Sequence, residues 1–239
     1  MGLRVVRTRG RYAQDGLVTI HRDAYRASPS FRAAYARSVQ ASGGVDPHFE
    51  WRVHVALWAA GLALRVPGDF IECGVNAGFM SSAIMHHLQW AQVDRRYYLV
   101  DTFAGPPLAQ YDTAEIAARR RRVAEDALRA GGYVVDVARI RRNFAEWPNA
   151  IVVQGEVPDV LPVIPSAQVA FLHLDMNSAL PERAALEFFW HKLARGAIVL
   201  LDDYVYRGHE QQGTAIDAVA RGKHADVLAL PTGQGLIVR

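Results

Sequence analysis

Short apolar runs alternate with longer helical or charged segments through most of this chain. The runs that predict strands are residues 70–73, 97–100, 151–154, 169–174, 197–201, 226–230 and 236–239. Strands that alternate with helical segments favour an α/β fold with a parallel sheet. The last two runs are joined by a short Pro-Thr-Gly-Gln-Gly link, which is too short for a parallel crossover and predicts an antiparallel hairpin.

The segment before the first strand is predicted to be helical. Residues 49–65 form an Ala- and Leu-rich run with two tryptophans, which predicts a buried helix, and residues 21–41 predict one or two short helices interrupted at Pro29. Three side chains of the long run are expected to pack in the core: Trp51, His54 and Trp58. We therefore predict an N-terminal helical extension over residues 1–66 and one α/β unit over residues 67–239.

Further helices are predicted between the strands. They follow the first strand through Met85 and then cover residues 113–130, 137–144, 181–193 and 214–220. The segment 113–130 carries four consecutive arginines, Arg119–Arg122. Such a run circles a helix and cannot form one patch, which predicts a solvated or oligomer-facing surface.

Residues 68–83 read GDFIECGVNAGFMSSA and predict a strand, a tight glycine turn and a helix. Gly74 and Gly78 would let a ligand approach bare backbone, and the next helix offers unpaired N–H groups. The Gly-x-x-x-Gly spacing is neither a dinucleotide fingerprint nor a phosphate-binding loop. Glu72 would repel a pyrophosphate but suits the cationic groups of S-adenosylmethionine (SAM). The alternative is that both glycines serve only packing.

Ligands of open α/β sheets bind at the carboxyl ends of the strands. Asp101 ends the second strand, where it could accept hydrogen bonds from the ribose hydroxyls of a nucleoside, although a capping role is the alternative. Phe103, in the loop that follows, is predicted to flank the nucleoside. Gly155 and Glu156 close the third strand and are predicted to lie near the adenine.

Acidic residues also end the fourth and fifth strands. Asp175 follows one and the pair Asp202–Asp203 follows the other. Three gathered carboxylates would repel one another unless a cation sits among them, and Mg²⁺ prefers such oxygen ligands. The alternative is that the pair caps the next helix. His209 is the first candidate for a general base because histidine titrates near neutrality, and His173 is the second.

Composition narrows the classes of function. The chain has 239 residues, a formal net charge of +3 and a single cysteine, Cys73, so an internal disulfide and a cysteine-based metal site are excluded. The mild charge does not indicate nucleic acid. No apolar run reaches the ~20 residues of a spanning helix, and the N-terminal arginines at positions 4, 7, 9 and 11 precede no hydrophobic stretch. A soluble, cytoplasmic protein without membrane contacts is expected, most simply a homodimer or higher homo-oligomer.

Five blocks, in order, resemble the class I SAM-dependent O-methyltransferases of the macrocin/mycinamicin type: GDFIECGV with a following Gly, LVDTF with a following Gly, FLHLDMN, GAIVLLDDY and LPTGQGLIV. The similarity runs from about Phe49 to Arg239. It implies a Rossmann-like class I methyltransferase fold, a seven-stranded, mostly parallel sheet with a C-terminal antiparallel hairpin, and a lid-forming N-terminal region.

The resemblance also implies roles for individual residues. The glycine turn would hold the methionine part of SAM, Asp101 would hold the ribose, and Asp175, Asp202 and Asp203 would bind Mg²⁺. The predicted cofactor contacts are Glu72, Cys73, Gly74, Val75, Gly78, Ser81, Asp101, Thr102, Phe103, Gly155, Glu156 and Asp175. One position departs from the family: sugar methyltransferases of this type can carry a proposed catalytic acid where this chain has Asn177.

These observations predict a SAM- and Mg²⁺-dependent O-methyltransferase that acts on a hydroxyl of a sugar or polyol-bearing small molecule, in natural product or glycan biosynthesis. The catalytic candidates are His209, Asp175 and His173. Two alternatives are a nicotinamide-dependent Rossmann oxidoreductase, which the missing fingerprint and the terminal hairpin disfavour, and a non-catalytic SAM-binding scaffold, to which Asn177 gives some weight.

Overall fold

The computed structural model describes residues 12–117 and 119–239. The N-terminal arginines at positions 4, 7, 9 and 11, and the first part of the predicted extension, lie outside these residues. Within the described ranges, no helix is long and apolar enough to cross a membrane.

A seven-stranded sheet forms the centre of the molecule, as the sequence predicts. The strands of the chain are β1 (Ala13–Gln14), β2 (Leu17–Val18), β3 (Asp69–Cys73), β4 (Tyr97–Asp101), β5 (Ala150–Gln154), β6 (Val169–Leu174), β7 (Leu193–Leu201), β8 (Leu228–Ala229) and β9 (Gly235–Val238). The sheet order is β5-β4-β3-β6-β7-β9-β8. Strands β3 to β7 pair in parallel, whereas β9 pairs antiparallel with both β7 and β8, which confirms the terminal hairpin.

Helices cover both faces of this sheet. They are α1 (Pro29–Ala41), α2 (Glu50–Ala63), α3 (Phe79–His87), α4 (Thr113–Ala117), α5 (Arg120–Arg129), α6 (Val137–Asn143), α7 (Ala179–Phe189) and α8 (Glu210–Gly222). Alternate strand residues point to opposite faces, so Phe70 packs with the core of α1, α2 and α3 while Ile71 packs with the core of α7 and α8. The result is a three-layer α/β fold.

Two helical predictions are wrong. The segment 113–130 is not one helix, because Arg119 adopts a left-handed conformation with φ of 62° that separates α4 from α5. Trp58 was expected in the core, but it is 57% exposed on α2. The other two side chains of that prediction are half-buried, and His54 stacks on Tyr25 with ring centroids 3.9 Å apart.

A small hairpin, β1–β2, precedes the helices and was not predicted. Its turn is Asp15-Gly16, and both residues have positive φ angles, 50° and 71°. An Asp-Gly pair is a strong two-residue hairpin signal, but the strands on either side are too short to show alternation. The hairpin matters because it places Asp15 beside the acidic ends of the central strands.

Candidate active site

The sheet reverses its winding between β3 and β6, since β4 and β5 extend to one side and β6 and β7 to the other. Open α/β sheets bind ligands in the crevice at such a switch point. A cavity lies there. Five of the predicted cofactor contacts line it: Gly74, Asp101, Thr102, Gly155 and Asp175.

A steric reason requires glycine at each of two positions in the turn after β3. Gly74 has φ of 93°, and a Cβ there would overlap the carbonyl oxygen of Asp175, so the turn can pass close to the end of β6 only without a side chain. Gly78 has φ of 81° at the start of α3, and its Cβ would lie 2.5 Å from the ring of Phe144. Packing against Phe144 therefore explains the glycine at position 78. Gly74 is required by packing too, and it also lines the cavity without filling it with a side chain.

Asp101 joins the end of β4 to this turn. One carboxylate oxygen, Oδ2, accepts hydrogen bonds from the backbone N–H groups of Val75 at 2.8 Å and Asn76 at 2.9 Å, and Oδ1 accepts one from Phe103 at 2.8 Å. The capping role that the sequence left as an alternative is thus present. Each carboxylate oxygen carries two acceptor sites, so the turn fills Oδ2, and Oδ1, which also lies 3.4 Å from the Thr102 hydroxyl, is the oxygen that could accept from a ligand in the cavity.

Five predicted cofactor contacts line neither this cavity nor the one described next. Cys73 is fully buried on the face of β3 that packs against α7 and α8, and Ser81 is fully buried within α3. Gly78 is covered by Phe144. The remaining two lie in loops: Phe103 is 2% exposed in the core, and Glu156 points to solvent while its neighbour Val157 lines the cavity.

A second cavity adjoins the first and shares Asn76 and Asp175 with it. Acidic side chains border it: Glu72, Asp175 and Asp202. Part of its wall is apolar and comes from Phe49, Phe79, Met80 and Val134, and the segment between α1 and α2 adds Ser42, Val45 and Pro47. Asp175 is therefore the acid that faces both cavities.

Arg52, which the sequence did not single out, lies among the acids. It is 3% exposed, and its Nη1 donates to Asp202 Oδ2 at 2.5 Å and to Asp203 Oδ1 at 3.3 Å. Its Nε donates to Asp15 Oδ2 at 2.7 Å. The guanidinium also lies 5.0 Å from the ring centre of Phe49 and 4.4 Å from that of Tyr206. These contacts fix the cation in one position.

His209 holds Asp203 from the other side. Its Nδ1 lies 3.1 Å from Asp203 Oδ2 and 2.5 Å from Gln212 Oε1, and Arg120 Nη2 is 3.5 Å away. Burial and the charge of Arg120 lower the pKa of His209 to about 4. The side chain is 6% exposed and lines neither cavity.

His173 lies in a row of three buried groups on adjacent strands. Its Nδ1 is 3.6 Å from Glu72 Oε1 and its Nε2 is 3.8 Å from Asp202 Oδ1, distances longer than hydrogen bonds. Burial alone would lower the pKa of His173, but the two carboxylates outweigh it and raise the pKa to about 10. His173 is fully buried and lines neither cavity, so it belongs to the core beneath the site.

The surroundings shift the pKa values of the four acids of this site in different directions. Burial, followed by the charges of Asp202 and Asp203, raises the pKa of Asp175 well above its ordinary value. Burial would do the same to Asp202, but Arg52, His173 and Gln234 together outweigh it and lower the pKa of that group. Burial and Asp202 raise the pKa of Asp203 to about 6. Glu182 accepts from the Met176 backbone at 3.0 Å, and burial raises its pKa to about 8.

The residues predicted to bind Mg²⁺ do not form a metal cage in this arrangement. Among residues 12–117 and 119–239, no three His, Cys, Asp or Glu side chains are grouped so that they could hold a metal ion. Gln234 Nε2 donates to Asp202 Oδ1 at 2.9 Å, and Arg52 takes Oδ2. Both oxygens of Asp203 face Arg52 and His209. Asp175 Oδ1 accepts from the side chain of Asn177 at 3.3 Å.

Other polar residues of the site also escaped sequence reasoning: Arg120, Glu182, Gln212 and Gln234. Glu115 was missed as well. Its buried carboxylate accepts from the backbone N–H of Ala179 at 2.9 Å and so caps α7, although the two residues are far apart in the sequence. Arg52 alone carried a sequence signal, since an arginine between Trp51 and Val53 in an apolar helix requires a buried partner.

The sheet order, the terminal hairpin and the cavity at the switch point define a class I methyltransferase fold. The solved structure of the O-methyltransferase NovP has the same fold, with a TM-score of 0.67 at 21% identity over 85% of this chain and 88% of that chain. The structure of CalS11, a calicheamicin methyltransferase, gives 0.61 at 16% identity over 92% of this chain and 94% of that one.

The sequence comparison identifies the family. Residues 57–225 match the Macrocin-O-methyltransferase (TylF) family, and the chain belongs to that family, as the five sequence blocks predicted. One curated relative is the 8-demethyl-8-(2,3-dimethoxy-alpha-L-rhamnosyl)-tetracenomycin-C 4'-O-methyltransferase of Streptomyces olivaceus, 30% identical over 151 residues. The matched stretch covers 60% of this chain and about half, 55%, of that relative.

Proposed function

We propose that this chain is a SAM-dependent O-methyltransferase that transfers a methyl group to a hydroxyl of a sugar or polyol-bearing small molecule. The observation that carries the proposal is the cavity at the switch point of the sheet. It is bordered by the side-chain-free turn at Gly74, by the acid Asp101 and by Asp175. Family membership supports the same reaction class.

The first cavity suits the nucleoside of SAM. Asp101 would accept hydrogen bonds from the ribose, and the base would lie beside Gly155 and Val157, which line the same cavity. The sulfonium would then lie toward Asp175 and Glu72, whose carboxylates favour a cation when they are ionised. The absence of a phosphate-binding fingerprint and the presence of these acids disfavour a nicotinamide dinucleotide.

The second cavity suits the acceptor, because it meets the first at Asp175. The acceptor oxygen would attack the methyl carbon in line with the carbon–sulfur bond. As the new C–O bond forms, the C–S bond breaks and its electrons stay on sulfur, which leaves neutral S-adenosylhomocysteine (SAH). The hydroxyl proton must go to a base.

Asp175 is the proton acceptor that the geometry favours. It faces both cavities, whereas His209 and His173 face neither. His209 was the first candidate from sequence, but a group with a pKa of about 4 is a weak base at neutral pH. His209 instead holds Asp203 in place. The sulfonium of bound SAM favours the ionised form of Asp175. Asp175 would therefore be able to accept a proton when the methyl donor is bound.

A sugar acceptor is supported by the relatives. The name of the Streptomyces olivaceus relative specifies methylation of a rhamnosyl group, and a further solved structure of CalS11 is that of a TDP-rhamnose 3'-o-methyltransferase. The second cavity combines an apolar wall with acids that can accept hydrogen bonds from sugar hydroxyls. This combination suits a deoxysugar, which has both apolar and hydroxylated faces.

Mg²⁺ dependence stays a prediction that the donor set does not support. The oxygens of Asp202 and Asp203 face Arg52, Gln234 and His209, so these residues do not fit the ion as they stand. No step of the proposed reaction passes through a metal.

The lid and the homo-oligomer that the sequence predicts also remain proposals. Residues 42–49 supply part of the wall of the second cavity, which supports a covering role for the N-terminal extension. The homodimer stays a prediction, because the single exposed Trp58 on α2 is not an apolar patch. Light scattering at micromolar concentration tests the dimer, and a monomeric mass would contradict it.

Product formation tests the proposed function. The purified protein is incubated with SAM and a panel of nucleotide-activated deoxysugars and rhamnosylated small molecules, and the released SAH and methylated product are measured by mass spectrometry. We expect turnover with at least one deoxysugar acceptor and a loss of ~10²-fold or more in Asp175→Asn, the scale of general-base catalysis. SAM binding without turnover of any acceptor would favour the scaffold alternative.

A further inference from the structure

We infer that Arg52 is the built-in cation of the acidic strand ends and that it excludes a divalent metal from them. The ends of β6 and β7 bring Asp175, Asp202 and Asp203 to one edge of the sheet, and unneutralised carboxylates there would oppose one another. Arg52 supplies the opposite charge from α2, with its Nη1 shared between Asp202 and Asp203.

The guanidinium is held from four directions. Asp15 accepts from its Nε, the two aspartates accept from its Nη1, and its Cζ lies over the rings of Phe49 and Tyr206. Tyr206 is tied to the same group, because its hydroxyl donates to Asp15 Oδ1 at 3.1 Å. A side chain this constrained loses little further entropy by remaining in place.

A metal ion would have to displace these contacts. Its entry would require the oxygens of Asp202 and Asp203 to leave a buried cation, and an unpaired buried charge is strongly destabilising. The side chains of Arg52 and both aspartates are each less than 8% exposed, at 4%, 6% and 7%. Arg52 is thus a positioning residue that keeps the two aspartates oriented beside Asp175.

Removing the guanidinium should convert the acids into a metal site. Arg52→Met keeps an unbranched stem between the two rings but removes the charge, and Asp202 and Asp203 are then free to accept a divalent ion. Arg37→Met is the matched control: Arg37 is a second largely buried arginine, 2.9 Å from Glu146 and 4.9 Å from the ring centre of Trp147, and its ion pair is with neither Asp202 nor Asp203.

Mn²⁺ alone, followed by electron paramagnetic resonance and by calorimetry on the full chain, is the probe. We expect only weak, non-specific Mn²⁺ binding in the wild type and in Arg37→Met, binding at least ~10-fold tighter than this in Arg52→Met, and loss of that site in Arg52→Met with Asp203→Asn. If circular dichroism shows that Arg52→Met is unfolded, Arg52→Gln replaces it.

Two results would overturn the inference. One is a single tight Mn²⁺ site in the wild type that disappears in Asp203→Asn. The other is a folded Arg52 variant that binds no more Mn²⁺ than the wild type. The inference rests on Arg52 and the acids and not on the proposed activity, so either result leaves the methyltransferase proposal standing. A failure to bind SAM, conversely, would leave the metal measurement unaffected.

Discussion

Gly74 and Asp175 approach each other so closely that no side chain fits between them. A Cβ on Gly74 would overlap the carbonyl oxygen of Asp175, and the backbone N–H of Asp175 donates to the carbonyl of Cys73 at 2.9 Å. The contact joins the ends of β3 and β6 at the switch point of the sheet. It therefore fixes the turn that borders the proposed cofactor cavity.

Gly74→Ala should be strongly destabilising, by more than ~4 kcal/mol, because it adds a backbone overlap to a positive φ angle. Gly44→Ala separates the two effects, since Gly44 has φ of 90° and a Cβ there would meet nothing within 4 Å. We expect that control to cost only ~1–2 kcal/mol. Urea unfolding measures both, and equal losses would show that the approach to Asp175 is unimportant.

Asp101→Asn should weaken SAH binding by about 1.5–3 kcal/mol, the scale of hydrogen bonds to a charged group. The mutation also disturbs the turn that Asp101 caps. A control variant must therefore show that a loss of folding stability alone does not weaken SAH binding. Asp136→Ala is the control for a lost cap: Asp136 accepts from the backbone N–H groups of Ala138 and Arg139 at the start of α6. That variant should lose some stability, ~0.5–2 kcal/mol, but no affinity. Calorimetry and thermal melting give both quantities, and wild-type affinity in Asp101→Asn would refute the ribose contact.

Glu182→Gln should change the pH dependence of stability. Burial raises the pKa of Glu182 to about 8, so between its unfolded pKa of about 4.5 and about 8 the folded state holds a proton that the unfolded state has lost. Stability therefore falls as the pH rises through this window. The neutral amide mimics the protonated acid and should remove about 2–4 kcal/mol of that loss at pH 8.5. Parallel stability curves for the two proteins would contradict the burial of an acid at this position.

SAM should bind more tightly as the pH rises, and SAH should not show the same increase. The raised pKa of Asp175 means that the unliganded site favours the protonated acid, whereas a sulfonium favours the carboxylate. Binding of SAM then releases a proton, but SAH carries a neutral sulfur. Calorimetry in buffers of different ionisation enthalpy counts the protons. An identical count for SAM and SAH, or one unchanged in Asp175→Asn, would remove Asp175 from the donor site.

The sequence predicted the sheet because its signals are local. The apolar runs, the acids that follow them and the short Pro-Thr-Gly-Gln-Gly link each lie within one element and its flank. The seven strands were found within a few residues, apart from a longer β7 and a shorter β8. Parallel pairing brings the ends of these strands to one edge, and in this way Gly74, Asp101, Gly155 and Asp175 were assigned to one cavity.

The rest of the site depends on contacts between distant segments, which composition and spacing do not encode. Arg52 reaches Asp202 across 150 positions, and Tyr206 reaches Asp15 across 191. The prediction of a metal site assumed that only a bound metal ion could neutralise the carboxylates. In the structure, α2 places Arg52 among them and the β1–β2 hairpin adds a further acid, Asp15. His209 illustrates the same limit, because its chemical type suggested a base while burial, and then Arg120 from another helix, lower its pKa.

Calorimetric titration of the wild-type protein with SAM, SAH and NAD⁺, each alone and without added metal, tests the central claim most directly. The account predicts one site per chain for SAM and for SAH in the micromolar range, weakened in Asp101→Asn, and no binding of NAD⁺. Binding of NAD⁺ in place of SAM and SAH, or no binding of any of the three to the folded protein, would contradict it.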